Sequence, residues 1–592
     1  MYNPFNSNAG FGAPFIKWMN ELIKTLGIDI SSLKSNVLSL TQRTERVLDQ
    51  SKHFDDIDAK LTELAQKLGE LEAGSQDNEV IEARHGYSSL SAFLESLAND
   101  TTEYSIRTAH KQAHEAGGFD PLDLYKLKNG DIVKQQMEDM QKNAVSNWRD
   151  VVTYYKVPQG IVNNAAALIQ QAINECAPLD VWVVVPEGNY FLEKSLITKK
   201  GLKMIINKNA TFYRYHTNVM VMNGESGNLV GQDDIWIDGG TWDVRGHLID
   251  HDGSGFAFGY AKNITLRNAE ILNVNFSHGV ELAAIEGANI EYVKCYGFID
   301  NTGTRGYAES IQIESGTKSG FPYFGSGANQ LSKHIRIKGC TAGASDVAGA
   351  WNVGIGTHTD ATITVADDIS IIDCNYTEVL DTGIIANGYK TIYIERTPIE
   401  SRNGIKIAHD GITETNFTLR DSNVRAIDGP ALYLYGVTKG LVEHNVLDGY
   451  TNAIYGKNTK GVDIINKNDL SGQTGDAYSF SDGSSDITAQ GNIIRKAGRH
   501  GFNAYQNVSH LRFYDNEILD VTVNAFNFQG ENAVGIVGRG NKIKDTSLNA
   551  VLLASSAVSA LIFKDNFYPS AITNPLQSTA VNSDTTGNKA VA

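Results

Sequence analysis

The chain has 592 residues, with 51 Lys+Arg against 68 Asp+Glu and a formal charge of −17 at pH 7. Apolar residues make up 41% and charged residues 20%, enough for a large core and too little charge for a wholly disordered chain. The acidic balance argues against nucleic acid as a partner, since phosphate binding needs basic surface. No apolar run reaches the ~18–20 residues of a membrane span, so no membrane insertion is expected. The opening Met1–Asn6 has neither the basic nor the apolar region of a secretory signal. The 4 cysteines are scattered, fitting neither a disulfide framework nor a zinc site; no metal or other cofactor is expected.

In chain order, residues 1–78 read as helix. Phe15, Trp18, Met19, Leu22 and Leu26 share one helical face. A seam follows through Leu33, Val37, Leu40, Thr44, Val47, Ser51 and Phe54, then Ile57, Leu61, Leu64, Leu68 and Leu71. The alternating steps of 4 and 3, with a single extra 3, predict a coiled coil with one stammer. The alternative is an amphipathic helix lying on a globular core. Residues 79–158 read as a helical connector, broken at Gly117-Gly118 and Pro121.

Residues 159–570 read as short strands in a repeat. One strand motif starts at Asn263, Asn289, His334, Asp368, Thr391, Asn416, Gly461, Asp486, His510 and Ala560. A second interleaves from Thr382, Asn403, Pro430, Asn452, Asp476, His500, Asn524 and Asn549, spaced 21–27 residues apart. Such a period, with strands and no helix in each unit, predicts a β-solenoid. Asn492, Asn516, Asn541 and Asn566 would then stack at ~4.8 Å into a ladder. Cys295, Cys340 and Cys374 are assigned one shared inner register. Residues 571–592 lack a core-forming pattern and are expected to be a flexible tail, the alternative being the start of a tip domain.

Particular motifs then add a family likeness. Ala165–Ala172 reads as a capping helix, followed by Val183-Val184-Val185-Pro186-Glu187-Gly188-Asn189-Tyr190 and by Ile237-Asp238-Gly239-Gly240-Thr241-Trp242-Asp243. On these, the chain resembles the right-handed parallel β-helix proteins of the pectate-lyase superfamily, in the form carried by bacteriophage tail spikes and collar appendages. The N-terminal seam with Val80–Arg84 is similar to leader segments of phage fibre proteins. The resemblance implies a homotrimer made in the host cytoplasm and carried on the virion. Its N-terminus would bind phage collar or tail proteins, and its body a bacterial cell-wall glycopolymer such as teichoic acid or a surface polysaccharide, on a Gram-positive host.

The densest polar cluster lies on three successive strands: Ser277–Leu282, Ala308–Glu314 and Trp351–His358. Aligning Val280 with Ile311 and Val353 turns Glu281, Gln312 and Gly354 outward, with Ala283, Glu314 and Gly356 as the next outward column. Glu281 and Glu314 then sit roughly 8 Å apart along the backbone, a separation suited to a carboxylate pair in glycoside hydrolysis. Glu281 and Glu314 are the expected acid/base pair, with Glu309 beside them. His278, Gln312, His358 and Trp351 are the expected substrate contacts, His278 or His358 could assist or replace the carboxylates in proton transfer, and the third-strand glycines are expected to leave room for a ligand. The motifs of pectate lyases and polygalacturonases are not met: no aspartate cluster occupies consecutive strands, and Asn301-Thr302-Gly303 and Ser277-His278-Gly279 fall short. The expected activity is hydrolysis of a cell-wall glycopolymer during adsorption; the alternative is a non-catalytic receptor-binding fibre using the same groove to adhere.

Overall fold

A computed structural model describes residues 148–591, apart from 161–164, 226–230, 301–302, 304, 306–307, 326 and 545–547. The expected coiled coil, and the connector up to residue 147, lie outside the described residues. The described part is a parallel β-solenoid of about 16 turns, as the repeat predicts. It begins earlier than the expected boundary at residue 159, because the strand Trp148–Asp150 pairs in parallel with Trp182–Val185.

The helix α1 (Ala165–Cys176) buries Ala165, Ala166, Ile169, Ala172, Ile173 and Cys176, a 3–4 spacing that turns one face onto the first strands. Gln170 fastens it there: its Nε2 donates to the Ile197 carbonyl at 2.8 Å, and its Oε1 accepts from the Ile197 N–H at 2.7 Å. The first turns then form by alternation. Trp182–Val185 and Ile235–Asp238 bury every second residue, and Gly239 and Gly240, with φ of 98° and 80°, turn the corner that most side chains could not.

Each coil contributes strands to three columns. The strands β1 (Phe256–Arg267) and β2 (Val280–Glu291) run through two columns without a break, bending at Tyr260 and Ala284, where φ is 50° and 56°. Further on, β3 (Glu309–Glu314) and β4 (Val353–Gly356) continue one of those columns. The third column forms separate sheets of 6 and 9 strands. The interior is one apolar core, with stacks such as Tyr478–Phe502 and Phe502–Phe526 at ring separations of 4.6 and 4.9 Å.

Most predicted registers hold. The second motif pairs in register from Thr382 to Asn524; opposite Asn524 stands Ala550 rather than Asn549. In the first motif Asn289 faces Thr265, so Gly287 is the equivalent of Asn263. The asparagine ladder is present and longer than predicted, running through Asn445, Asn468, Asn492, Asn516, Asn541, Asn566 and Asn588. From Asn468 on, each side-chain oxygen accepts from the preceding member's side-chain N–H and from its backbone N–H, as Asn541 does from Asn516 at 3.0 and 3.1 Å. The residue before each member is left-handed: His444, Lys467, Gly491, Asp515, Gly540, Asp565 and Gly587 all have positive φ.

Two expectations are corrected. Cys340 and Cys374 share a register upstream of the ladder, since Thr341 bridges Asn375, but Cys295 pairs with Ala342 and so lies two residues out of it. All three are buried. Residues 571–592 are no loose tail: Leu576–Ser578 pairs with Ala550–Ala554, and Lys589–Val591 pairs with Phe567–Pro569.

Candidate functional site

The strands β2, β3 and β4 bring the predicted residues onto adjacent coils. Between β2 and β3 the register is the predicted one, with Val280 opposite Ile311 and Glu281 opposite Gln312. Between β3 and β4 it is shifted by two residues: Ile311 faces Ile355, and Gln312 faces Gly356. Alternation does not distinguish shifts of two. The turn after β4 does, because in this register Thr357, His358 and Thr359 reach Glu314.

Glu314 is 1% exposed. Its Oε1 accepts from the Thr357 hydroxyl, from the His358 N–H at 2.6 Å and from the Thr359 N–H at 3.1 Å; Oε2 accepts from the Thr359 hydroxyl at 2.7 Å. Those donors make Glu314 the anchor of the turn that carries His358. Glu281, 2% exposed, is similarly engaged: Oε1 accepts from the hydroxyls of Ser254, of Tyr323 at 2.7 Å and of Ser277 at 3.5 Å.

Tyr323 belongs to the loop of residues 315–331, which folds across the outer face of β1 and β2. Phe321 and Phe324 pack there on Val219, Ala257, Tyr260, Ala283 and Ala284, a second apolar cluster separate from the main core. Tyr260 ties the loop down: its hydroxyl donates to the Gly316 carbonyl at 2.8 Å and accepts from the Gly327 N–H at 3.1 Å. Burial, with Glu281 beside it, pushes the Tyr323 phenol far up from its usual pKa. Glu281 is therefore sealed under a covered wall, and sequence alone gave no sign of the loop's course.

The reactive groups converge instead on Glu309, at the start of β3 and fully enclosed. Its Oε2 lies 2.7 Å from His358 Nε2 and 3.3 Å from His278 Nδ1. The two imidazole rings are 5.0 Å apart at 54°. On the far side of His278, the Arg305 guanidinium stands 3.0 Å from Nε2. A guanidinium only donates, so this Nε2 accepts and the proton sits on Nδ1, which is 3.3 Å from the Glu309 main-chain carbonyl oxygen and 3.3 Å from its Oε2. Burial pushes the Glu309 carboxyl up, but the hydrogen bonds from His278 and His358 outweigh it and hold the pKa down at about 2. For His358 burial works against the charged form, and the Glu309 carboxylate overcomes it, raising the imidazole above its usual pKa. His358 keeps a third of its side chain exposed, whereas His278 keeps 4%.

Of the other predicted contacts, Gln312 is 3% exposed beside Glu281. Trp351 is corrected: it is 0% exposed in the main core, its ring 5.1 Å from Phe298, and cannot meet a substrate at the surface. The expected room beside the β4 glycines is also filled. A Cβ at Gly356 would stand 3.0 Å from Glu309 Cγ, and one at Gly354 would stand 2.5 Å from the Gly383 carbonyl. The glycines admit protein atoms, and Gly356 is what lets Glu309 lie where it does.

Residues 403–567 match the family model described as a right handed beta helix region, in agreement with the fold. The plasmin and fibronectin-binding protein A of Streptococcus pneumoniae (strain ATCC BAA-255 / R6) is 26% identical over 451 residues. That match covers 71% of this chain and 58% of the relative's length. Among solved structures, PfbA, a surface adhesin of Streptococcus pneumoniae, is similar at 17% identity and a TM-score of 0.43, over 70% of this chain and 91% of that one. A tailspike protein mutant of E. coli bacteriophage HK620, in complex with a hexasaccharide, is similar at 10% identity and a TM-score of 0.42, over 76% and 79%. Tailspike protein 3 of bacteriophage CBA120 matches at 12% identity and a TM-score of 0.35, over 78% and 62%.

Proposed function

We propose that this chain is the body of a phage appendage that binds a bacterial cell-wall glycopolymer and hydrolyses it at the Glu309 cluster. The observation that carries the reading is one fully buried carboxylate held between two imidazoles, of which only His358 reaches solvent. A carboxylate behind an imidazole fixes the ring and stabilises its charged form, the arrangement that general acid–base transfer to a hydroxyl or leaving oxygen needs. Proton transfer accordingly belongs to His358, with Glu309 as its positioning partner. Glu314 holds the turn beneath it, since both its oxygens are taken up by donors, and Glu281 holds the covered wall through its Oε1. Attachment through the N-terminal region and assembly as a homotrimer are part of the same proposal.

Adhesion without cleavage is the second reading, favoured by the name of the curated relative, which is given as binding plasmin and fibronectin. The deciding experiment incubates the purified full-length chain with isolated Gram-positive cell walls and follows soluble fragments by mass spectrometry. Short glycopolymer fragments, reduced about 100-fold or more in His358→Ala, support hydrolysis. Saturable binding with the polymer intact moves the reading to adhesion, and full activity in folded His358→Ala removes this centre from the chemistry.

A further inference from the structure

We propose that His278, Glu309 and His358 together form a binding site for a divalent transition-metal cation of the zinc or cobalt kind. One ligand atom from each residue lies within 4.8 Å of the others. Two imidazole nitrogens with one carboxylate oxygen are a donor set suited to these ions and poorly suited to calcium or magnesium, which take oxygen ligands. Metal–ligand bonds of about 2.0–2.2 Å in tetrahedral geometry set ligand atoms roughly 3.4 Å apart. The two imidazole approaches to Glu309 Oε2, 2.7 and 3.3 Å, need only a small opening to reach it.

A second observation points the same way. Glu309 is 0% exposed, and its other oxygen, Oε1, has no hydrogen-bond partner among the described residues. Enclosing a charged oxygen without a partner is costly, and a cation between the imidazoles would draw on this carboxylate through one oxygen or both. The three ligands are also held in place by the fold. The His358 N–H is fixed by Glu314 at 2.6 Å, the His278 N–H donates to Ser254 Oγ at 3.3 Å, and Gly356 leaves the space that Glu309 Cγ fills. In the cation-free arrangement the site is closed by a proton: Arg305 fixes the His278 tautomer so that Nδ1–H faces Glu309. Cation binding at Nδ1 shifts that proton to Nε2, which then donates, so the guanidinium must withdraw from it.

Cation binding stands apart from the proposed hydrolysis; with the cation in place His358 would serve as a ligand and would no longer be free to transfer protons. The test titrates chelator-treated, full-length protein with Co2+ and with Zn2+, by calorimetry and by the visible absorption of bound Co2+. One equivalent per chain is expected, with affinity about 100-fold lower in Glu309→Gln and in His358→Ala. Absence of stoichiometric binding overturns the site, and so does unchanged binding in both variants. Should Glu309→Gln fail to fold, His358→Ala decides alone, its side chain being partly exposed and its melting curve the control. Polymer cleavage that persists in chelator without cation binding would sink this inference and leave the hydrolytic reading standing. Stoichiometric binding without cleavage would do the reverse.

Discussion

Gly356 shows how one missing methyl group positions a carboxylate. Gly356→Ala would set a Cβ 3.0 Å from Glu309 Cγ and 3.2 Å from Ile385 Cβ, inside a close-packed wall. We expect a loss of about 1–3 kcal/mol in denaturant unfolding, with Glu309 displaced from His358. Arg305 acts on the same cluster by charge and by tautomer. Arg305→Gln, which offers His278 an acceptor and removes a cation, is expected to tighten Co2+ binding about tenfold in the same titration. His216 provides a pH signature away from the site. Its Nδ1 accepts from the Asn218 N–H at 3.1 Å, its Nε2 has no partner among the described residues, and burial with Arg214 nearby lowers its pKa to about 4. The folded state thus resists protonating this ring while the unfolded chain takes the proton near 6.5. Stability is fully present above about 6.5 and is lost as pH falls toward about 4, by about 3 kcal/mol at most. Urea unfolding at pH 7 and pH 5 should show a smaller difference for His216→Gln than for the natural chain.

Among elements, the loop of residues 315–331 matters most to the site, because it decides which carboxylates meet solvent. Tyr323→Phe removes the 2.7 Å hydrogen bond to Glu281 and is expected to cost about 1–2 kcal/mol. Faster amide hydrogen exchange confined to this loop would register it; exchange unchanged across the loop would show that Phe321 and Phe324 suffice. The same loop marks the limit of what the sequence discloses. The columns were legible because a period near 24 residues repeats the same alternation on every coil. The β3–β4 register was not, since Val353 and Ile355 satisfy a shift of two equally well and only the Glu314 contacts break the tie. Trp351 looked like a surface aromatic because it begins a polar strand, yet it fills the core against Phe298. His278, Glu309 and His358 were all legible as candidates, but their convergence on one carboxylate oxygen depends on turns that periodicity does not describe. Aromatic residues of the repeating strands take different places: Phe480 and Phe502 are interior, Tyr433 and Tyr455 stack outside at 5.5 Å, and Tyr505 is 57% exposed.

At the scale of the whole molecule, each coil touches mainly the coils before and after it, so stability approximates a sum of neighbour terms. The strands Leu576–Ser578 and Lys589–Val591 cover the edges left by Ala550–Ala554 and Phe567–Pro569. Removing residues 571–592 takes away that pairing and the burial of Ile572 in the core. The shortened protein should melt earlier in a thermal unfolding scan, whereas a loose tail could be removed without change. The asparagine ladder has a polarity that follows from its bonding pattern. From Asn445 to Asn588 each side-chain amide donates to the side-chain carbonyl of the next member. All these dipoles therefore point the same way along the axis, and each polarises the next. A mid-chain break divides one long polarised wire into two short ones, while a break at an end merely trims it. Equal substitutions should therefore carry unequal costs, largest for Asn516→Ala and smallest for Asn588→Ala, so that coils alike in sequence differ in worth by their place in the current.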